Sequence, residues 1–179
     1  MSDKLPKKIF LFEYFVFKLQ EWKKSLANSD TVDFTKIQLH KLLFLASATT
    51  AKVDDFQMFE YFQNFYALQY GPVEIDIYRA MCSNSFNILT IESRYCRIKP
   101  LDNYTFGELT AIERNIVDDA IAALREHSNN YVLYNPFKLV TITHEWTVWK
   151  VSYAFAEVMG NKMEHMDIKE IIDSKIKVF

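Results

Sequence analysis

Glycine is scarce in this chain, with three residues in 179. A turn-rich all-β fold needs far more, so the scarcity favours helices joined by short connections. Cysteine is scarcer still. Cys82 and Cys96 cannot build a disulfide framework at this length, and a reducing cytoplasm is the expected location. No apolar run approaches the roughly 20 residues that cross a bilayer. The best candidate, Ile9 to Phe17, is too short, is broken by Glu13, and is followed by Lys18, Glu21, Lys23 and Lys24. A secretory signal would need a small-residue cleavage site where Lys18-Leu19-Gln20-Glu21 stands. The run reads as a buried helix, with a helix at a membrane interface as the alternative. Charge of one sign is not in excess either. A formal net charge of -2 points neither to nucleic acid nor to an anionic membrane. The small basic clusters, Lys4-Lys7-Lys8 and Lys23-Lys24, read as solvated surface.

What is present is core material. Half the residues are hydrophobic and 16% are aromatic, enough to fill one domain and to exclude general disorder. Ile9, Phe12, Val16 and Leu19 predict a first helix over about 6–27, ended by Asn28-Ser29-Asp30. Thr35 and Gln38 form a capping box, flanked by Phe34 and Leu39 at staple positions. The helix they start runs to about Thr50, with Leu39, Leu42, Leu43 and Ala46 as its apolar face. From Asp54 to Tyr70 a helix, a strand, or one of each fits. Pro72 suits the first position of a further helix, reaching about Cys82. Residues 88–98 alternate as a short hairpin would. Thr110 and Glu113 repeat the capping box ahead of a helix over 111–127. Asn135-Pro136 starts another helix, a further one runs from about 147 to Gly160, and Asp167 opens a last one carrying Ile168, Ile171, Ile172 and Ile176. The expected fold is mainly α: a compact multi-helix single domain over 1–179 with a small β-hairpin.

Chemistry-bearing motifs are missing. His40, His127, His144 and His165 have no metal-ligand spacing, and the position after His144-Glu145 that needs a second histidine is Val148. Gly71, Gly107 and Gly160 are isolated, so no phosphate-cradling loop exists, and no Gly-x-Ser-x-Gly elbow occurs. Cys82 or Cys96 with a distant histidine makes a thiol pair conceivable, against the commoner role of buried small hydrophobe. No metal, no cofactor and no enzymatic activity are expected.

Two constellations exceed ordinary packing. Tyr70-Gly71-Pro72-Val73 joins a conformationally free residue to a fixed one, as a tight helix entry or a binding element. Thr143-His144-Glu145-Trp146 with Trp149 sets polar groups among large aromatics, which costs energy if they are buried unpaired. A capping cluster and a binding site are equally open there.

These residues carry a family resemblance. Thr35 followed by Gln38-Leu39-His40-Lys41-Leu42-Leu43-Phe44-Leu45-Ala46 resembles the threonine-started helix of the SocA-like antitoxin, or Panacea, domain. Ala67-Leu68-Gln69-Tyr70-Gly71-Pro72-Val73 with Tyr78 resembles its Ala-Trp-x-Tyr-Gly-Pro-Val segment. Leu139 to Trp149 resembles its Leu-x-x-x-Thr-His ending with a following tryptophan. Leu68, Ile75 and Val148 stand where the family often has Trp, Pro and Pro. The similarity spans about 34–155, with the helices over 6–27 and 167–177 packed outside it. It implies a bacterial or phage-associated helical domain that neutralises a cognate protein toxin by contact, in one branch by delivering it to a cellular protease. Lys41, Tyr70, Gly71, Pro72, Tyr78, Thr143, His144 and Trp149 are its motif positions, binding or structural. The other readings are a small-ligand or enzymatic pocket near His144, Glu145 and Tyr70, and a DNA-binding regulator, for which no basic recognition helix is found.

Overall fold

A computed structural model describes residues 4–27, 32–101 and 104–174. The expected turn at Asn28-Ser29-Asp30, and Ile176, lie outside them. The described residues form helices α1 (Lys4–Ala27), α2 (Lys36–Thr50), α3 (Ile75–Ser83), α4 (Ala111–His127), α5 (Pro136–His144), α6 (Thr147–Val158) and α7 (Ile168–Asp173). Six short strands, β1 (Phe34–Thr35), β2 (Phe65–Leu68), β3 (Gly71–Glu74), β4 (Leu89–Ile91), β5 (Tyr95–Ile98) and β6 (Glu164–His165), make two antiparallel sheets of order β1-β5-β4 and β3-β2-β6. The fold is mainly α.

Local chemistry starts most helices. Thr35 accepts from the Gln38 amide while Gln38 accepts from the Thr35 amide, and Thr110 and Glu113 do the same for α4. Asn135 caps α5 with Pro136 at its first turn, and Asp167 caps α7. The ambiguous stretch before Tyr70 resolves into a 3-10 turn at Gln57–Glu60 and strand β2.

Three expectations are corrected. Helix α2 has no single apolar face: Gln38 to Ala48 are all buried, because α4, α5 and β3 pack around it. Pro72 does not open α3. It lies in β3 opposite Ala67, and α3 begins at Ile75 with Glu74 as its cap. Gly71, at φ +93°, turns the chain into a two-residue hairpin, and β3 is an edge strand, where a residue without an N–H is tolerated. Lys8 is not solvated surface. It is buried, and its Nζ donates to Glu74 Oε1 and Asp76 Oδ2, both at 2.6 Å.

The apolar first helix packs inward. Leu11, Phe12, Phe15, Val16, Leu19 and Trp22 share one core with residues of α2, α4 and α7. Glu13, in the middle of that run, is fully buried and accepts from the amides of Asn87, Ile88 and Leu89 at 2.7, 2.7 and 3.0 Å. A carboxylate inside an apolar helix is thereby satisfied, and it ties α1 to the start of β4. No helix among the described residues is long and apolar enough to cross a membrane.

Candidate functional site

The site forms where α2, α5 and the β2–β3 hairpin meet. Lys41, on the buried central helix, is 1% exposed, and its Nζ donates to the Pro72 carbonyl at 2.8 Å. No carboxylate among the described residues ion-pairs with it, and burial lowers its amine to a pKa of about 7. Gly71 lies against it. A Cβ on Gly71 would come 2.7 Å from Thr143 Oγ1 and 3.0 Å from Lys41 Cε, so a side chain here collides with both. Thr143 is fully buried, and its hydroxyl donates to the Val140 carbonyl at 3.0 Å.

His144, Trp149 and Tyr153 stack in a column. The His144 and Trp149 ring centres are 3.6 Å apart at 8°, and those of Trp149 and Tyr153 are 5.3 Å apart at 6°. Trp149 Nε1 donates to the Leu68 carbonyl at 3.1 Å, pinning α6 to the hairpin. The His144 pKa is lowered by burial first and by Lys41 second, against Glu145 and a hydrogen bond to the Gln69 backbone. Its Nε2 is inaccessible and has no hydrogen-bond partner among the described residues. Glu145 is exposed and pairs with Lys150 at 3.1 Å. The capping interpretation of Thr143 and His144 does not hold. Helix α6 starts at Thr147, and Trp146 before it gives no side-chain cap; Thr143 packs under Gly71, and His144 stacks.

Gly71 therefore sits between Lys41 and Thr143, and Lys41 bonds to Pro72, with His144 next to Thr143 in the chain and Trp149 stacked on His144. Tyr70 and Tyr78 are not in that cluster; both are exposed. They border a cleft of about 870 Å³ whose wall includes Lys41 but neither His144 nor Glu145. The cleft also uses His40 and Tyr153, which were not among the motif positions. His40 is 4% exposed, both its ring nitrogens lack hydrogen-bond partners among the described residues, and burial lowers its pKa to about 3. Its place next to Lys41, and the i, i+4 step from Trp149 to Tyr153, are the signals that could have found them.

The thiols divide. Cys96 is buried, and desolvation pushes it up to about 11, which leaves it unreactive. Cys82 is exposed at the cleft. No group of three His, Cys, Asp or Glu among the described residues is arranged to hold a metal.

Comparison with known proteins returns one family. The model of the antitoxin SocA-like, Panacea domain matches residues 39–150, from the second residue of the buried α2 run to the first turn of α6. No curated protein and no solved structure matches the chain. The matched segment covers more than half of the sequence and contains Lys41, the Tyr70-Gly71-Pro72 hairpin, Thr143, His144 and Trp149, so the chain belongs to the antitoxin SocA-like, Panacea domain family.

Proposed function

We propose that this chain neutralises a cognate protein toxin by direct contact. Family membership over residues 39–150 carries the reading. Such a role needs a partner surface and no catalytic constellation. Aromatic richness alone is poor support for that surface, because among the described residues only Phe137 and Phe155 of the phenylalanines are exposed. Helix α6 gives better support. Val151, Phe155 and Val158 are exposed at i, i+4 and i+7, forming one apolar stripe, with Met159 at its end. The adjoining face, Val148, Ser152 and Ala156, is buried. A contiguous exposed apolar stripe is the kind of surface that a protein partner covers, and Phe155 is the size of residue that anchors such contacts.

The toxin encoded beside this chain, expressed alone, should arrest growth, and co-expression of this chain should restore it and co-purify the toxin. Val151→Asp with Phe155→Asp should abolish both while leaving thermal unfolding within a few degrees of the parent. Absence of rescue together with absence of a co-purified toxin would sink the proposal. An adaptor mode adds a protease as second partner. It predicts that the toxin's half-life shortens only when this chain and the protease are both present; a direct inhibitor leaves the half-life unchanged.

A further inference from the structure

We infer that the cleft beside the motif cluster binds a small aromatic anion, a flat ring bearing a carboxylate or phosphate, held head-first against Lys41. The cleft's size, about 870 Å³, is that of small-ligand sites. Its charge is one-sided: among the described residues, Lys36, Lys41 and Lys162 line it against Glu157 alone of the acidic side chains. Its walls carry Tyr70, Tyr78 and Tyr153, of which Tyr153 is already held flat against Trp149, so a planar ligand finds faces to stack on.

The deep end of the cleft is incomplete without such a ligand. Lys41 is a buried amine with one hydrogen bond, to a neutral carbonyl, and no counter-charge among the described residues. Beside it lies His40, buried, lining the same cleft, with two unpartnered ring nitrogens and the Tyr78 ring 6.2 Å away. Buried polar groups without partners are uncommon in native proteins, and an unpartnered imidazole next to an amine without a counter-charge along one cleft marks a place for an external acceptor. The Tyr78 ring is exposed and flanks the imidazole at the cleft wall. An anion there supplies Lys41's missing counter-charge and favours its protonated form, so binding draws in a proton near neutral pH.

The Gly71-Pro72 backbone lies against Lys41, Thr143 packs against Gly71, and the charge of Lys41 acts on His144. The titratable groups that share the cleft with Lys41 are His40 and Lys36 on α2, Tyr70 on the hairpin, Tyr78 and Cys82 on α3, and Tyr153 and Glu157 on α6, with Lys162 beyond it. His144 and His40 are both shifted toward neutrality, and a Cys82→Ser background removes the thiol.

Isothermal titration of the full Cys82→Ser chain with phenyl phosphate, benzoate, inorganic phosphate and benzyl alcohol tests the site. Phenyl phosphate or benzoate should bind, and whichever does identifies the head group. Inorganic phosphate, which lacks the ring, and benzyl alcohol, which lacks the charge, should each bind at least about tenfold more weakly, since one lost ion pair or stacked ring carries that factor. Between pH 7 and 9 affinity should fall by up to about tenfold per unit, and buffers of different ionisation heat should report proton uptake. Tyr78→Ala and Lys162→Glu, both at exposed positions, should each weaken binding about tenfold or more without moving the thermal midpoint. No heat from either aromatic anion, equal affinity for benzyl alcohol, or affinity unchanged in both variants overturns the inference.

Discussion

Gly71 and Lys41 depend on each other at atomic distances. At Gly71 an added methyl group meets Thr143 Oγ1 at 2.7 Å and the Lys41 side chain at 3.0 Å, on a backbone with φ +93°. Gly71→Ala should therefore cost about 2–4 kcal/mol in urea unfolding, from backbone strain and from the collision together. Adding Thr143→Ala should recover part of that loss, because it removes the nearer obstacle and leaves the strain. Strict additivity of the two substitutions would show that the collision is unimportant. Lys41 makes a different prediction. Its pKa is about 7 in the folded chain against 10.5 for the free side chain. Between those values the unfolded chain holds the proton and the folded chain has released it. Stability therefore rises with pH across that window, with a slope approaching roughly 1.4 kcal/mol per unit above pH 7. Cys96, pushed up from 9.0 to about 11, acts in the opposite direction, but only above pH 9. Urea midpoints between pH 7 and 9 should rise for the parent chain and stay flat for Lys41→Met. A flat parent profile would mean that the amine keeps its proton.

At the scale of elements, Glu13 shows how a residue that looks like an interruption becomes a joint. Three backbone amides at the start of β4 converge on one of its oxygens, and Asn87 Nδ2 donates to the other at 3.0 Å. Glu13→Leu strands these donors and should cost about 3–5 kcal/mol, whereas Glu13→Gln keeps one acceptor oxygen and should cost roughly half as much. Equal losses in the two variants, read from urea unfolding, would reduce Glu13 to a volume filler. The same contrast explains what was legible in the sequence. Thr35 with Gln38, Thr110 with Glu113, and Asn135 with Pro136 were readable because each cap is complete within four residues. Pro72 was not, because its role depends on the left-handed turn at Gly71 and on β2, which in turn pairs with the distant β6. The burial of Lys8 is hidden from the sequence for the same reason: its partners Glu74 and Asp76 are remote along the chain. In the site, the motif residues could be named from the chain. The cleft, His40's unpaired nitrogens and the Trp149 bond to Leu68 arise only when α2, α6 and the hairpin come together.

The whole molecule extends beyond the segment that identifies its family. The match begins at residue 39, yet α1 contributes to the common core six side chains that are at most 2% exposed, Leu11, Phe12, Phe15, Val16, Leu19 and Trp22, beside the less deeply buried Tyr14. At about 1.5–3 kcal/mol for each buried side chain, their removal forfeits roughly 9–18 kcal/mol, as much as the whole net stability of an ordinary domain. Polar ties would go as well. Lys8 is the only cation ion-paired with buried Glu74 among the described residues, and Glu74 both caps α3 and accepts from the Asn64 amide. Removing Lys8 leaves a buried carboxylate whose pKa desolvation already raises, at the base of the hairpin that carries Gly71 and Pro72. A fragment spanning residues 34–179, which keeps β6 and α7, should therefore show no cooperative thermal transition and no dispersed amide spectrum, while the full chain shows both. Adding residues 4–27 as a separate peptide should restore part of the transition, since the missing surface is one continuous helix face. If the fragment folds alone with a sharp transition, α1 is an accessory to a self-sufficient core, and the Lys8–Glu74 pair fixes its position without supporting the site.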